Sequence, residues 1–154
     1  MNSKTLRIHI IGASGSGVST LGLQLASALA CSHHDTDDYY WLPTNPPYQS
    51  PRLVEERVRL MKALFLTRDR WVLSGSSGEW IDPVIPYLDL VVFVRTPTAV
   101  RLERLKTREN QRFGPEANRP GGWNHEGYEW FLDWPASTTR ARVKGGVYPN
   151  KRHG

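Results

Sequence analysis

One glycine-rich segment near the start of the chain constrains its fold more than any other feature. Residues 7–20, RIHIIGASGSGVST, begin with β-branched residues and continue into a turn of glycine and serine. Gly12 and Gly17 are separated by four residues, and a Ser-Thr pair stands at positions 19 and 20. This is the spacing of the phosphate-binding pattern G-x-x-x-x-G-K-[ST], except that Val18 occupies the lysine position.

A helix is predicted directly after this loop, because Leu21, Leu25 and Leu29 recur at helical spacing over residues 18–30. Glycines let the backbone curl so that several N–H groups converge, and the helix N-terminus adds a partial positive charge. Such a loop favours an anion even without the lysine, whose ammonium group would neutralise the outer phosphates. The residues predicted to bind phosphate are Gly12, Ser14, Gly15, Ser16, Gly17, Val18, Ser19 and Thr20.

Composition narrows the class of protein. The 154 residues fit one ordinary domain, and the single Cys31 excludes an internal disulfide framework, which favours a cytoplasmic location. The apolar run at residues 8–11 is too short to span a membrane. Residues 136–154 hold five of the 20 basic residues and no acidic one, so residues 1–135 are balanced at 15 basic and 15 acidic. Because the excess charge of +5 lies in residues 136–154, we predict a flexible basic tail there rather than a nucleic-acid-binding surface.

Strands alternate with helices along residues 1–135, which predicts an α/β fold of three layers, a parallel sheet flanked by helices. The run LDLVVFVRTP is the clearest strand and is expected to be buried on both faces. Helix starts are predicted at the Ser50-Pro51 and Thr96-Pro97 pairs, each an N-cap residue before proline. Residues 108–124, which include RFGPEANRPGG, are predicted to form a flexible lid, and HEGYEWFLDWP a last helix.

Acidic and aromatic residues follow the predicted second strand in the stretch HDTDDYYW. If the stretch is extended, Asp35 and Asp37 share one face. Asp35 is then predicted to hold Mg²⁺ together with Ser19, and Asp37 to accept the proton of a substrate hydroxyl. Asp38, Tyr39 and Trp41, with Asp35, are the predicted substrate contacts. The alternative is a polar turn followed by aromatic residues of the core.

Four arginines offer a replacement for the missing lysine. Arg101, Arg104, Arg108 and Arg112 are spaced by three, four and four residues, so they share one helix face. Such a stripe is often a solvated surface. Because this one leads into the predicted lid, Arg108 and Arg112 are the preferred candidates for contacting a transferring phosphoryl group, ahead of Arg101 and Arg104.

A dinucleotide site is a competing hypothesis. Gly12, Gly15 and Gly17 form G-x-x-G-x-G, a variant of the dinucleotide-binding pattern, and residues 35–38 lie at about the distance of its ribose-binding acid. Against it, the chain leaves little room for a substrate domain and has no Tyr-x-x-x-Lys pair of the short-chain reductase kind.

The segments IIGASGSGVSTLG, DTDDYYW, WVLSGS and DLVVFVRTP…RLERLKTRENQRFG resemble the adenylate-kinase-related branch of small P-loop kinases, over about residues 7–134. The resemblance implies ATP and Mg²⁺ as cofactors and a small-molecule phosphate acceptor. By position, residues 12–20 would cradle the donor phosphates, and Arg108 and Arg112 would face the transferring group. Val18 and a tail without an apolar run depart from this family. The leading hypothesis is a nucleotide-dependent phosphotransferase. The alternatives are a catalytically weakened nucleotide-binding protein of the same fold and a small NAD(P)-binding reductase-like domain.

Overall fold

The computed structural model of the chain describes residues 4–76 and 78–138. These residues form two compact units. The first contains residues 4–12 and 18–93, and the second contains residues 13–17 and 94–138. Residues 139–154, most of the predicted basic tail at 136–154, lie outside the described part of the chain.

A four-stranded parallel sheet organises the first unit. Its strands are β1 (Leu6–Gly12), β2 (Ser32–Asp35), β3 (Arg70–Ser74) and β4 (Leu90–Val94), in the order β2-β3-β1-β4. The predicted α/β fold is thereby confirmed. In the dinucleotide-binding fold β1 lies beside β2, in the order 3-2-1-4. Here β3 lies between β1 and β2, so the topology contradicts the reductase-like hypothesis.

Helices cover both faces of this sheet. They are α1 (Val18–Ala28), α2 (Thr36–Tyr40) and α3 (Val54–Met61), which continues as a π-helical turn over Lys62–Leu66, together with a 3₁₀ helix over Glu79–Tyr87. On one face, Gly22 of α1 packs so closely on His33 and Ser74 that an added Cβ would lie 2.7 Å from the His33 ring. The opposite face carries the main hydrophobic core, which consists of Tyr39, Met61, Phe65, Leu66, Trp71, Leu73, Ile81 and Val84.

The predicted start of α3 at Ser50 and Pro51 is wrong. The segment before α3 pairs with the end of α2 instead: the Leu42 N–H donates to the Ser50 carbonyl at 2.8 Å, and the Arg52 N–H donates to the Tyr40 carbonyl at 2.7 Å. These bonds hold residues 50–52 extended, so the helix begins only at Val54. The start of α3 is therefore set by this pairing with the end of α2 and not by the local N-cap pattern.

The prediction that β4 is buried on both faces is also wrong. Leu90 and Val91 are each 49% exposed and Phe93 is 61% exposed. Within residues 4–76 and 78–138, β4 has β1 as its neighbour on one side and no strand on the other. An apolar run identifies a strand reliably, but it does not say whether the strand is central or at an edge.

Helices dominate the second unit. It contains the loop at residues 13–17, α4 (Thr98–Phe113), α5 (Pro115–Asn118) and α6 (His125–Thr138). The predicted cap by Thr96 is wrong, because α4 starts one residue later and the Thr96 hydroxyl donates to the Ser16 carbonyl at 3.0 Å. Among the described residues, no helix combines the length and apolar character needed to cross a membrane.

The predicted lid, residues 108–124, makes several hydrogen bonds. The Asn118 amide donates to Asn110 Oδ1 at 3.0 Å, and the Asn124 amide donates to Asn118 Oδ1 at 2.7 Å. The His125 ring nitrogen Nδ1 lies 3.0 Å from the Asn118 carbonyl oxygen. This network ties α5 to the neighbouring ends of α4 and α6. Movement of the segment as a lid stays a prediction.

Candidate functional site

Ser19 and Asp35, the two predicted magnesium-binding residues, are in direct contact. Ser19 lies in the first turn of α1, and Asp35 is the last residue of β2. The Ser19 hydroxyl donates a hydrogen bond to Asp35 Oδ2. A hydroxyl and a carboxylate offer the hard oxygen ligands that Mg²⁺ prefers, and Mg²⁺ commonly keeps waters in its remaining positions. The chemistry of this pair therefore fits a magnesium ion.

The other oxygen of the Asp35 carboxylate has a structural role. Asp35 is the N-cap of α2, and its Oδ1 accepts a hydrogen bond from the Asp37 N–H at 3.0 Å. Capping satisfies one of the backbone donors that have no partner at a helix start. One carboxylate thus fixes the turn from β2 into α2 and presents its second oxygen to Ser19.

The expectation that Asp35 and Asp37 share a face of an extended stretch is wrong. Asp37 and Asp38 lie in the first turn of α2, where both are exposed. Desolvation by neighbouring groups raises the pKa of the Asp38 carboxyl above its usual range, and the nearby Asp35 charge raises it further, while His33 opposes the shift. The two residues are favourably placed for the helix dipole. A catalytic role for Asp37 stays a prediction.

Tyr39 is a core residue, which corrects its prediction as a substrate contact. Its side chain is only 5% exposed, and its hydroxyl lies 2.8 Å from His34 Nδ1. His34 in turn stacks on Phe65 with 3.9 Å between ring centroids. Burial, with the Asp38 charge, raises the pKa of Tyr39 to about 12. The alternative of core aromatic residues is the correct one at this position.

Trp41 belongs to an aromatic cluster around a buried arginine. Its ring meets the edge of Tyr40 at 4.7 Å between centroids. The Arg57 guanidinium lies 4.0 Å from the Tyr40 ring centre and 5.3 Å from that of Trp80. Arginine stacks favourably on such rings. The sequence does not reveal Arg57, because nothing in the charged run EERVR distinguishes this buried arginine from Arg59.

The second unit contains the central part of the glycine-rich loop, and its carbonyl groups turn toward α4 and the residues before it. The carbonyl oxygens of Ser14, Gly15 and Ser16 accept hydrogen bonds from side chains of Arg101, Arg104 and Thr96, respectively. In a trans peptide the C=O and the following N–H point in opposite directions. The Ser16 N–H donates to the Ala13 carbonyl at 3.0 Å, whereas the N–H groups of Gly15 and Gly17 point away from Arg101 and Thr96, as in backbone anion-binding nests.

Two features of this loop segment fit a bound phosphate. Ser16 is 5% exposed, and among the described residues its hydroxyl has no hydrogen-bond partner. A buried hydroxyl without a hydrogen-bond partner is energetically unfavourable unless a ligand or a water molecule bonds to it. Gly15 and Gly17 have φ angles of 79° and 94°, the left-handed region that glycine adopts without strain. A phosphate oxygen is a suitable acceptor for the Ser16 hydroxyl.

The four arginines of α4 have different environments. Arg101 is 4% exposed, and Arg104 is exposed with Nη1 3.2 Å from the Gly15 carbonyl oxygen. Arg108 is exposed, and Arg112 forms an ion pair of 3.1 Å with Glu109. Burial raises the pKa of Glu109, and Arg112 and Arg108 act against this shift. Contact of Arg108 and Arg112 with a transferring phosphoryl group stays a prediction. Of the four arginines, Arg101 and Arg104 hydrogen-bond to the glycine-rich loop.

Comparison with known proteins identifies relatives of this chain. No family model matches the sequence. The uncharacterized protein YqaC of Bacillus subtilis (strain 168) is 44% identical over 127 residues, which cover 82% of this chain and 69% of YqaC. The chain belongs to the YqaC family. A further, more distant similarity to this YqaC-family chain is found in the cytidylate kinase of Haloarcula marismortui, 28% identical over 117 residues. That match covers 69% of this chain and 60% of the kinase, so the chain spans about two thirds of the length of these relatives.

A solved structure shares the fold. A gluconokinase from Sinorhizobium meliloti 1021 superimposes with a TM-score of 0.52 over 90% of this chain and 79% of the gluconokinase, at 22% identity. The resemblance to small P-loop kinases is therefore confirmed at the level of the fold. The narrower resemblance to adenylate kinases stays a prediction.

Proposed function

We propose that this chain is a phosphotransferase that uses ATP with Mg²⁺ to phosphorylate a small molecule or a nucleoside monophosphate. The observation that carries the proposal is the hydrogen bond from Ser19 to Asp35. It joins the hydroxyl of the phosphate-loop pattern to a carboxylate at the end of the neighbouring strand. The chain is similar to a cytidylate kinase in sequence and to a gluconokinase in fold, which supports the same class of reaction.

Each residue group has a proposed role. Residues 12–20 bind the donor phosphates through backbone N–H groups and the Ser16 hydroxyl. Ser19 and Asp35 hold the magnesium ion, which neutralises the phosphate charge when bound. Asp37 receives the proton of the acceptor hydroxyl, while Asp38 and Trp41 contact the acceptor. Where the acceptor is a hydroxyl, the γ-phosphoryl group passes to its oxygen, its proton passes to Asp37 and ADP is the leaving group.

A second candidate function has one specific observation in its favour. Val18 stands where the phosphate-loop pattern has lysine. A nucleotide-binding protein of the same fold with weak or no turnover is therefore the alternative. Both candidates are proposed to act in the cytoplasm, as the single Cys31 favours.

Ligand-dependent thermal unfolding tests this proposal, because a ligand that binds the native state raises the unfolding midpoint. The protein is unfolded alone, with Mg-ATP, with Mg-ADP and with NADPH. We expect a rise with ATP and ADP and none with NADPH. The release of ADP in the presence of candidate acceptors then separates an active kinase from a binding protein. A midpoint that no adenine nucleotide changes would contradict both candidates.

A further inference from the structure

The loop at residues 12–20 lacks a cation of its own. It contains no lysine or arginine, and Val18 takes the position of the usual one. A triphosphate bound there needs compensating charge at its outer oxygens, where negative charge accumulates during transfer. Two arginines of α4, Arg101 and Arg104, hydrogen-bond to the central part of this loop within the second unit.

Arg101 has a structural role. It is 4% exposed, and its guanidinium donates to the Thr96 carbonyl at 3.2 Å and the Thr98 hydroxyl at 3.1 Å. A third bond reaches the Ser14 carbonyl at 3.5 Å. These contacts spread one buried guanidinium over the start of α4 and one edge of the loop. They leave it enclosed by protein groups rather than open to a ligand.

Arg104 differs in exposure and in partners. Its side chain is exposed, and its Nη1 donates to the Gly15 carbonyl at 3.2 Å. A Cβ built on Gly17 would lie 3.6 Å from the same nitrogen, so this guanidinium lies beside the bare backbone of Gly17. Within the described ranges no carboxylate forms an ion pair with Arg104. A guanidinium has five N–H donors in a planar fork, which leaves several for a ligand.

We propose that Arg104 provides, from α4, the positive charge that the phosphate loop lacks at Val18. The inference rests on the proposed function, since it assigns a cation to the same phosphate-binding loop. Arg108 and Arg112 lie about 6 and 12 Å farther along α4, at about 1.5 Å per residue. Arg112 is also paired with Glu109. Because Arg101 is enclosed by protein groups, Arg104 is the cation that the loop offers to a ligand, rather than Arg108 or Arg112, which the sequence favours.

The test measures Mg-ATP binding by calorimetry. Arg104→Gln removes the charge but keeps a polar side chain that can donate hydrogen bonds, and Arg104→Ala removes both the charge and the donors. We expect each variant to bind Mg-ATP about tenfold more weakly, as for one lost charge-assisted contact to phosphate. Lys106→Ala is the matched control, because Lys106 is a cation on the same helix paired with Glu103. This control should bind like the wild type.

Restoring the missing lysine makes the test specific. Val18→Lys in the Arg104→Gln background should recover most of the lost affinity, whereas a purely structural role of Arg104 predicts no recovery. The assignment would be overturned if Arg104→Gln bound Mg-ATP as tightly as the Lys106→Ala control. It would also be overturned if the double variant bound Mg-ATP no more tightly than Arg104→Gln alone. Wild-type protein that fails to bind Mg-ATP would instead contradict the proposed function itself. Unfolding midpoints of all variants identify any that are misfolded, in which case the comparison relies on Arg104→Lys, which should keep most of the affinity.

Discussion

At the scale of single residues, Asp35 combines a structural and a proposed chemical role in one carboxylate. Its Oδ1 caps α2, and its Oδ2 accepts the Ser19 hydroxyl. A neutral side chain with one similar oxygen can still cap the helix but has no negative charge to attract a divalent cation. The two roles can therefore be separated by choosing between Asn and Ala at this position.

We predict that Asp35→Asn folds as stably as the wild type and loses the magnesium-dependent part of nucleotide binding, about tenfold in affinity. Asp35→Ala should in addition lower the free energy of unfolding by about 1 kcal/mol, the usual effect of a lost N-cap. ATP titrations with and without Mg²⁺, combined with urea unfolding, measure both effects. Equal magnesium dependence in Asp35→Asn and wild type would show that Asp35 does not serve the ion.

At the scale of elements, the sequence predicts where helices and strands lie along the chain better than it predicts which residues pack around them. The strands and α1 follow from apolar runs and helical spacing, which are local signals. The start of α3 does not, because the pairing of residues 50–52 with the end of α2 is tertiary. For the site, the loop and the contact of Ser19 with Asp35 are predictable from spacing, whereas the burial of Tyr39 and Arg57 depends on packing partners distant in sequence.

The packing of the loop against α4 leads to a second prediction at this scale. A Cβ on Gly15 would lie 2.7 Å from the Arg101 carbonyl oxygen, and the φ of 79° is itself unfavourable for alanine. Gly15→Ala should therefore lower the free energy of unfolding by about 1 to 3 kcal/mol and weaken nucleotide binding. Gly114→Ala is the control, because Gly114 has a φ of 83° but its added Cβ meets nothing within 4 Å. If both substitutions have the same effect, close packing on α4 is not what requires glycine at position 15.

At the scale of the whole molecule, two histidines, His9 and His34, couple stability to pH. Burial lowers the pKa of His9 to about 4, partly offset by its hydrogen bond to the Gly75 backbone. Burial, with the charges of His33 and Arg68, also lowers the pKa of His34 to about 4. In the unfolded chain both titrate near 6.5. Between these values the unfolded chain binds protons that the folded protein does not, so the free energy of unfolding must fall as the pH falls.

We therefore predict constant histidine contributions above about pH 6.5, a loss of stability from there down to about pH 4, and no further loss below it. For His9, which is almost fully buried, the loss amounts to about 3 kcal/mol. Urea unfolding followed by tryptophan fluorescence suits the measurement, because Trp71 lies in the core. His9→Gln and His34→Gln should each flatten the pH dependence relative to wild type, and the differences between the curves isolate each histidine from the carboxylates. Curves that run parallel from pH 7.5 to 4.5 would mean that neither histidine is kept neutral by the fold.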